Sequence, residues 1–258
     1  MPVIIDGTNG VSTPNTFAFK NRIIDGGFTI NQRGYTSGTS LSSGSYGHDR
    51  WKGGASGGTY TFTQGSTGVN TTITITAGSI IQVIEGANLP EGGTYVLSWT
   101  GTAQGKIGAG SFGASGITGT ITAGTNTNIE FNTGTCGNVQ LEVGSTATSF
   151  DYRPYGTELA LCQRYYWKIA RGTSEPYGTT GNTSAGNAIW SQFGLPVTMR
   201  ATPTVTIYGT WAASNTGQPT IRGASSTNFL LQIVPTATGI ATAYPDSSDD
   251  LIDASIEL

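Results

Sequence analysis

The sequence predicts an all-β protein: an antiparallel jelly-roll sandwich followed by a second, smaller β domain, with a short helix at the junction. Three observations lead to this prediction. Short runs alternate β-branched or aromatic residues with small polar ones, Gly, Thr and Ser supply 104 of the 258 residues, and only one short stretch has helical spacing. A period of two is typical of half-buried strands, and the glycines provide the turns between them.

The alternating runs fall into two series. The first recurs at intervals of about ten residues, as in an antiparallel sandwich, and comprises residues 59–63, 71–76, 80–85, 94–100, 117–122, 128–131 and 138–143. The second follows a stretch rich in Gly, Ser and Thr and comprises residues 188–193, 204–208, 228–234 and 240–244. We therefore predict a jelly-roll domain over residues 21–156 and a second β domain over residues 172–258.

The junction, residues 157–171, holds the one helical pattern. Thr157 stands where a helix cap is expected, and Leu159 and Cys162 fall on one face of a helix over 157–164. The aromatic run at 165–167 predicts a strand instead. Residues 1–20 form a separate arm that is too short to bury its own apolar side chains, so other chains are expected to cover it.

Charge and cysteine usage exclude several classes of protein. Only 10% of the residues are charged, and the net charge is -3, so no basic surface is available to neutralise nucleic-acid phosphates. No apolar run approaches the ~18 residues of a membrane span, and the chain start resembles no signal peptide. We therefore expect neither nucleic-acid binding nor membrane insertion. Cys136 and Cys162 are expected to be free, buried thiols.

The chain offers little for catalysis, and we expect it not to be an enzyme. His48 is the only histidine, and no nucleophile motif or second metal-binding histidine accompanies it. A glycan-active enzyme remains an alternative, because Glu85, Glu130, Glu142 or Asp151 would supply the carboxylate pair that glycoside hydrolysis needs.

Two charged groups of residues stand out in so neutral a chain. Asp49, Arg50 and Trp51 are adjacent, which indicates a fixed ion pair beside an anchoring aromatic, a structural lock at the edge of the core; contact with a ligand is the alternative.

Oxygen-bearing residues near both ends of the first domain would converge if its first and last strands pair. They are Asn21, Asp25, Asn31, Glu142 and Asp151. Such a set would suit calcium, with Asp25, Glu142 and Asp151 as the candidate ligands; ordinary turn caps are the alternative.

The second domain has the composition of a sugar-binding surface. Sugars present apolar ring faces and many hydroxyls, which favour flat aromatic side chains among neutral amides. The region after residue 172 supplies both, namely Tyr177, Trp190, Tyr208, Trp211 and Tyr244 with Asn182, Asn187, Asn215, Gln218 and Asn228. Tyr177 and Trp211 lie in loop-like sequence and are expected to be exposed, with Asn182 and Asn215 as amide partners. The alternative is that these aromatics fill the core and an intersubunit seam.

Several strings resemble a recurring module of bacteriophage tail fibres and other virion appendages. They are NRIIDGGFTINQRG at 21–34, DRW at 49–51 and, most specifically, VQLEVGSTATSFDYRPYGTELALCQRYY at 139–166. The opening IDGTNGV at 5–11 resembles the start of such fibre proteins, and LPVTMRATPTVT at 195–206 is similar to the first strands of fibre tip domains.

The resemblance implies a carbohydrate-binding-like jelly roll and a tip-like second domain in a virion structural protein. Such a protein would form a homotrimer, contact other virion proteins through the arm at 1–20, and attach the phage to a glycan on its bacterial host. It would be located in the virion after synthesis in the host cytoplasm. A head-decorating fibre or tail adaptor without a receptor of its own is the alternative.

Overall fold

A computed structural model of the chain describes residues 4–6, 10–12, 20–170, 178–246 and 251–258. The chain divides into two compact units, Met1–Glu158 and Leu159–Leu258. Strands contain 46% of the residues and helices 5%, and every strand pair in the described ranges is antiparallel. The predicted all-β, antiparallel class is therefore confirmed.

The described residues of the first unit form ten strands. Two short ones, β1 (Ile4–Asp6) and β2 (Gly10–Ser12), form a hairpin. The other eight form one sheet and are β3 (Ser40–Leu41), β4 (Lys52–Thr61), β5 (Ile73–Ile84), β6 (Gly93–Thr100), β7 (Gly105–Ile107), β8 (Ile117–Ile121), β9 (Thr127–Phe131) and β10 (Gly134–Val143). A 3₁₀ turn, Gly86–Asn88, lies between β5 and β6.

The large sheet curls because β5 changes partner along its length. Its first part pairs with β10 and its last five residues pair with β9, while β4 lies along its other edge. The main path runs β3-β4-β5-β10-β6-β8, and β9 continues to β7. The curl encloses the core of the unit, which contains large side chains from most strands, among them Trp51, Tyr60, Tyr95, Trp99 and Phe131.

Residues 20–30 cross the interior without forming a strand. Asn21 holds them to β10, because its amide donates to the carbonyl of Val139 (2.9 Å) and its side-chain oxygen accepts from the backbone N–H of Leu141 (3.0 Å). The backbone N–H of Arg22 donates to the carbonyl of Leu141 (2.8 Å). The first and last parts of the unit therefore meet, which was the condition for the oxygen-bearing residues to converge.

Asp49, Arg50 and Trp51 are all buried. The Trp51 indole donates to the carbonyl of Asp25 (3.0 Å), and its ring lies 5.0 Å from that of Phe28. Arg50 donates to the carbonyl of Val83 on β5 (2.7 Å). Asp49 accepts from the Gln32 amide (2.8 Å) and lies 3.5 Å from the Arg33 guanidinium. These contacts tie residues 20–33 to the sheet, and the ion pair of Asp49 seen here is with Arg33. The structural lock formed by Asp49, Arg50 and Trp51 stays a prediction.

His48 lies within a buried aromatic cluster formed with Phe28, Tyr35, Tyr60 and Phe62. Its Nδ1 lies 3.0 Å from the Tyr60 hydroxyl and its Nε2 lies 3.1 Å from the side-chain oxygen of Gln64. A neutral ring protonated at Nε2 satisfies both contacts. Burial disfavours the charged ring and lowers the pKa of His48 to about 4.

The helix α1 (Tyr155–Gln163) lies at the junction between the units. It begins two residues earlier than predicted, because the carbonyl of Pro154 accepts from the backbone N–H groups of Thr157 and Glu158. Thr157 therefore lies within the first turn and is not the cap. No helix in the described ranges is long and apolar enough to cross a membrane. Cys136 and Cys162 are both buried, as predicted, and they do not form a disulfide bond with each other.

Outside the undescribed stretches at 171–177 and 247–250, the second unit has nine strands in three sheets of three. The strands are β11 (Tyr166–Ala170), β12 (Thr179–Thr183), β13 (Ile189–Gly194), β14 (Thr204–Tyr208), β15 (Ala212–Ser214), β16 (Thr220–Ala224), β17 (Asn228–Ile233), β18 (Gly239–Tyr244) and β19 (Leu251–Ser255). The sheet orders are β11-β19-β14, β12-β18-β15 and β13-β17-β16. Each of the last three strands in sequence is thus the centre of one sheet.

The core of the second unit is thinner than that of the first. Its main cluster has four buried members, Trp211, Phe229, Leu231 and Ile252, and a second has Ile233, Ala241 and Ala243. Most other apolar side chains that pack on these clusters are only partly buried. Short three-stranded sheets have few inward positions, which accounts for the small number of buried side chains in these clusters.

Trp51→Ala is expected to destabilise the first unit by roughly 3 to 5 kcal/mol, because it removes a completely buried aromatic and leaves a cavity. Differential scanning calorimetry should show a fall in its Tm of roughly 10 °C. Trp190→Ala is the matched control, since that indole is 59% exposed and its removal should change stability little. A Tm within a degree or two of the parent would contradict the role of Trp51.

His48 should make the first unit less stable in acid. The unfolded ring takes up a proton near its ordinary pKa of 6.5 and the folded ring only near 4, so folding stability falls by roughly 3 kcal/mol as the pH drops across that window. Urea unfolding from pH 7 to pH 4 should show a smaller loss in His48→Gln. Burial raises the pKa of Asp25, so the protonation of Asp25 makes the folded state more stable in acid. This contribution is the same in the parent and in His48→Gln, and it cancels in the comparison. Equal losses in the two proteins would refute this role.

Candidate functional site

Two of the carboxylates considered for catalysis, Glu130 and Glu142, make structural contacts within the first unit. Glu130 pairs with Lys106 (2.8 Å) and accepts from the Ser79 hydroxyl (2.6 Å). Glu142 is buried and accepts from the backbone N–H of Thr148 (2.8 Å). The contacts of Glu130 join β9 to β7 and β5, and the contact of Glu142 holds the loop after β10.

The three candidate calcium ligands are not gathered around one point. One oxygen of Asp25 accepts from the backbone N–H groups of Thr29 and Ile30, and burial raises the pKa of its carboxyl well above the ordinary value. Asp151 accepts weakly from the backbone N–H of Asn21 (3.5 Å), while Glu142 faces Thr148. Within the described ranges no three His, Cys, Asp or Glu side chains form a metal-binding group. Calcium binding stays a prediction.

The proposed aromatic and amide residues of the second unit have different environments. Tyr177 lies outside the described residues. Trp211 is only 2% exposed, so the expectation that it is exposed is wrong. Its loop folds inward because the Gln218 side chain accepts from the backbone N–H of Trp211 (2.8 Å) and donates to its carbonyl (3.0 Å), which places the indole in the core.

Asn215 also has a structural position. Its amide nitrogen donates to the carbonyls of Ala237 and Ile240, and its oxygen accepts from the backbone N–H of Ala237 and the hydroxyl of Thr236. This amide holds the turn between β17 and β18, which leaves it little capacity for a ligand. Asn182 is exposed on β12, directly opposite Ile240 on β18.

The structure instead singles out the outer face of the β13-β17-β16 sheet. Trp190 on β13 lies opposite Gln232 on β17, and Gln232 lies opposite Thr220 on β16. Residues directly opposite one another in antiparallel strands project from the same face, and Gln192 shares that face because it is two residues from Trp190. We call Trp190, Gln192, Gln232 and Thr220 the Trp190 surface.

The Trp190 surface rests on a well-packed support. Alternate residues of the same strands point inward, where Phe193 and Phe229 stack with ring centroids 5.4 Å apart and Leu231 is fully buried. The only charged residue on the three strands is Arg222, at a bulge in β16. Within the described ranges the Trp190 indole N–H has no hydrogen-bond partner in the protein. A rigid aromatic face with neutral amides beside it is suited to an uncharged, hydroxyl-bearing ligand.

Trp190 is one of the aromatics that the sequence offers after residue 172, but it is not among the four residues predicted for the site. The signal was present in the run IWSQFG at 189–194, because its period of two places Trp190 and Gln192 on one face and Phe193 on the other. What the sequence does not show is which face is inward, since tryptophan suits both a core and an exposed binding surface.

Comparison with known proteins gives no family to which the chain can be assigned. No protein-family model, curated protein or solved structure matches it.

Proposed function

We propose that this chain is a structural protein of a bacteriophage virion, a tail fibre or receptor-binding protein, and that it binds a glycan of the bacterial surface through the Trp190 surface. The virion assignment is supported by the strings at 21–34, 49–51 and 139–166 that resemble virion appendage modules. The glycan assignment rests on one observation: a largely exposed tryptophan fixed on a sheet among glutamine and threonine side chains.

The chemistry of the Trp190 surface favours a sugar over other ligands. The indole offers a flat apolar face against the C–H face of a pyranose ring, and two glutamine amides offer both donors and acceptors to its hydroxyls. A phosphate-rich polymer would need several cations, whereas Arg222 alone lies on these strands.

Self-association is the second part of the proposal. Ile240 is 67% exposed on β18, and Tyr244 is exposed on the same face of that strand. Val234 is exposed at the end of the neighbouring β17. Exposed apolar side chains of this size, above a thin core, favour burial against neighbouring copies in closed symmetry. We propose a homotrimer, with the arm at residues 1–20 joining it to other virion proteins.

Trp190→Ala should weaken glycan binding by roughly 10- to 100-fold, the usual effect of removing a central aromatic from a binding surface. The measurement is binding of the purified full chain to an array of bacterial lipopolysaccharides and capsular polysaccharides, followed by titration of the best ligand. Tyr152→Ala is the matched control, because Tyr152 is 71% exposed in the first unit, and it should bind as the parent does. If Trp190→Ala binds as tightly as the parent, or if no glycan is bound, the Trp190 surface is not a receptor site.

Light scattering at low micromolar concentration should give the mass of three chains, about 80 kDa from 26.7 kDa each. Ile240→Asn should shift that mass toward a single chain, because it removes the most exposed large apolar side chain among the described residues of the second unit and adds a polar one. Thr180→Asn, on the neighbouring β12, is a polar control that should leave the mass unchanged. A stable monomer of the parent chain would contradict the trimer.

A further inference from the structure

The free edge of β8 in the first unit is open to another strand. In the described ranges β8 pairs only with β6, so its other side presents backbone N–H and C=O groups that have no strand partner. The opposite end of the main sheet path is β3, which has only two residues. β8 has five, which makes it the longer end of this path and the better template for an added strand.

β8 also lacks the features that usually block strand addition. Its sequence, Ile117-Thr118-Gly119-Thr120-Ile121, contains no lysine or other charged residue and no proline, and its register with β6 is continuous without a bulge. Natural edge strands are normally protected by one of these features or by being very short. An unprotected edge of this kind is a template for pairing with another chain.

A groove of about 640 Å³ lies beside this edge, between β8 and β7. Ile107 of β7 and Ile121 of β8 provide its apolar part, and Gly119 lies directly under the Ile107 side chain. The remaining lining is threonine, asparagine, alanine and glycine, with no charged residue. An added strand would therefore cover apolar atoms without burying a charge.

The sequence of β8 identifies the partner as a second copy, because it reads the same in both directions about Gly119. In an antiparallel pair with a two-fold axis at Gly119, Ile117 lies opposite Ile121 of the other copy, and Thr118 lies opposite Thr120. Both are favourable cross-strand pairs, and a self-complementary contact is what two-fold symmetry requires.

The two faces of such a pair also match the first unit. Ile117 and Ile121 lie on the inner side of the sheet, where Ile121 is buried and Ile117 is only partly covered. Thr118 and Thr120 are both exposed on the outer side. A shift of one residue would place isoleucine opposite threonine on the wrong face, so the alternation disfavours that shift. A shift of two residues would place an isoleucine opposite Gly119 and lose the isoleucine pairs.

We propose that two copies of this chain pair edge to edge through antiparallel β8 strands and continue the sheet of one first unit into that of the other. This contact is independent of the Trp190 surface and of Ile240, which lie in the second unit. The interface is small, because each copy contributes only the five residues of β8. We therefore expect the pairing to depend on protein concentration.

The test is sedimentation of the full chain over a concentration series from roughly 5 to 500 μM, in the range where small interfaces assemble. The parent should show a concentration-dependent doubling of its mass.

The double variant Thr118→Lys with Thr120→Lys places lysines opposite lysines in the pair and should abolish the doubling. Thr94→Lys is the matched control: Thr94 is exposed directly opposite Thr120, but it is on the interior strand β6, and that variant should double as the parent does.

A charge exchange tests the register. Thr118→Glu with Thr120→Glu should also abolish the doubling, and a mixture of the lysine and glutamate variants should restore it, because each lysine then faces a glutamate. Circular dichroism of each variant reports retention of the fold. Any of three results would overturn the proposal. The mass of the parent does not change up to roughly 500 μM, the doubling persists in the double lysine variant, or the mixture of lysine and glutamate variants does not pair. A failure of glycan binding or of the trimer would leave these outcomes unaffected.

Discussion

The stability of the first unit depends on the hydrogen bonds made by one irregular segment, residues 20–30, which passes through its interior. Residues 20–30 make few of the regular bonds of a strand, yet they are buried, so each of their backbone groups needs a partner. Side-chain amides supply several: Asn21 bonds to β10, and Gln82 on β5 both donates to the carbonyl of Ile24 and accepts from its N–H. Loss of either amide would leave buried polar groups unpaired, which costs more than the bond itself contributes.

This constraint explains the structural roles of residues in the strings at 21–34, 49–51 and 139–166. Asn21 and Asp25 sit in the irregular segment, Trp51 donates to the carbonyl of Asp25, and Glu158 accepts from the backbone N–H of Asp25 and pairs with Arg153 (3.1 Å). Gly26 approaches the carbonyl of Val139 so closely that a Cβ there would lie 2.1 Å from the oxygen. The quoted strings thus mark the internal support of the first unit, and they say little about any ligand it binds.

The alternating runs made the strands predictable, because their period depends on the sequence alone. The run at 94–100 became β6 and that at 117–122 became β8, each within one residue. The arrangement of the second unit could not be predicted, since the pairing of its last three strands depends on contacts between distant residues. Trp211 shows why the candidate site was only partly predicted. Its loop-like sequence suggested exposure, whereas the side chain of Gln218, seven residues away, turns the indole into the core.

The small number of charges has a consequence for the surfaces of the molecule. Several of the 27 charged residues are buried, among them Asp25, Asp49, Arg50, Glu142 and Glu158, so fewer remain on the outside than the composition suggests. Threonine, serine and amide side chains must then keep the exposed strand faces hydrated. Such a surface has little long-range charge repulsion between copies and many neutral hydrogen-bonding groups. The weak charge repulsion favours strand pairing between identical chains, and the neutral hydrogen-bonding groups favour the binding of uncharged sugars.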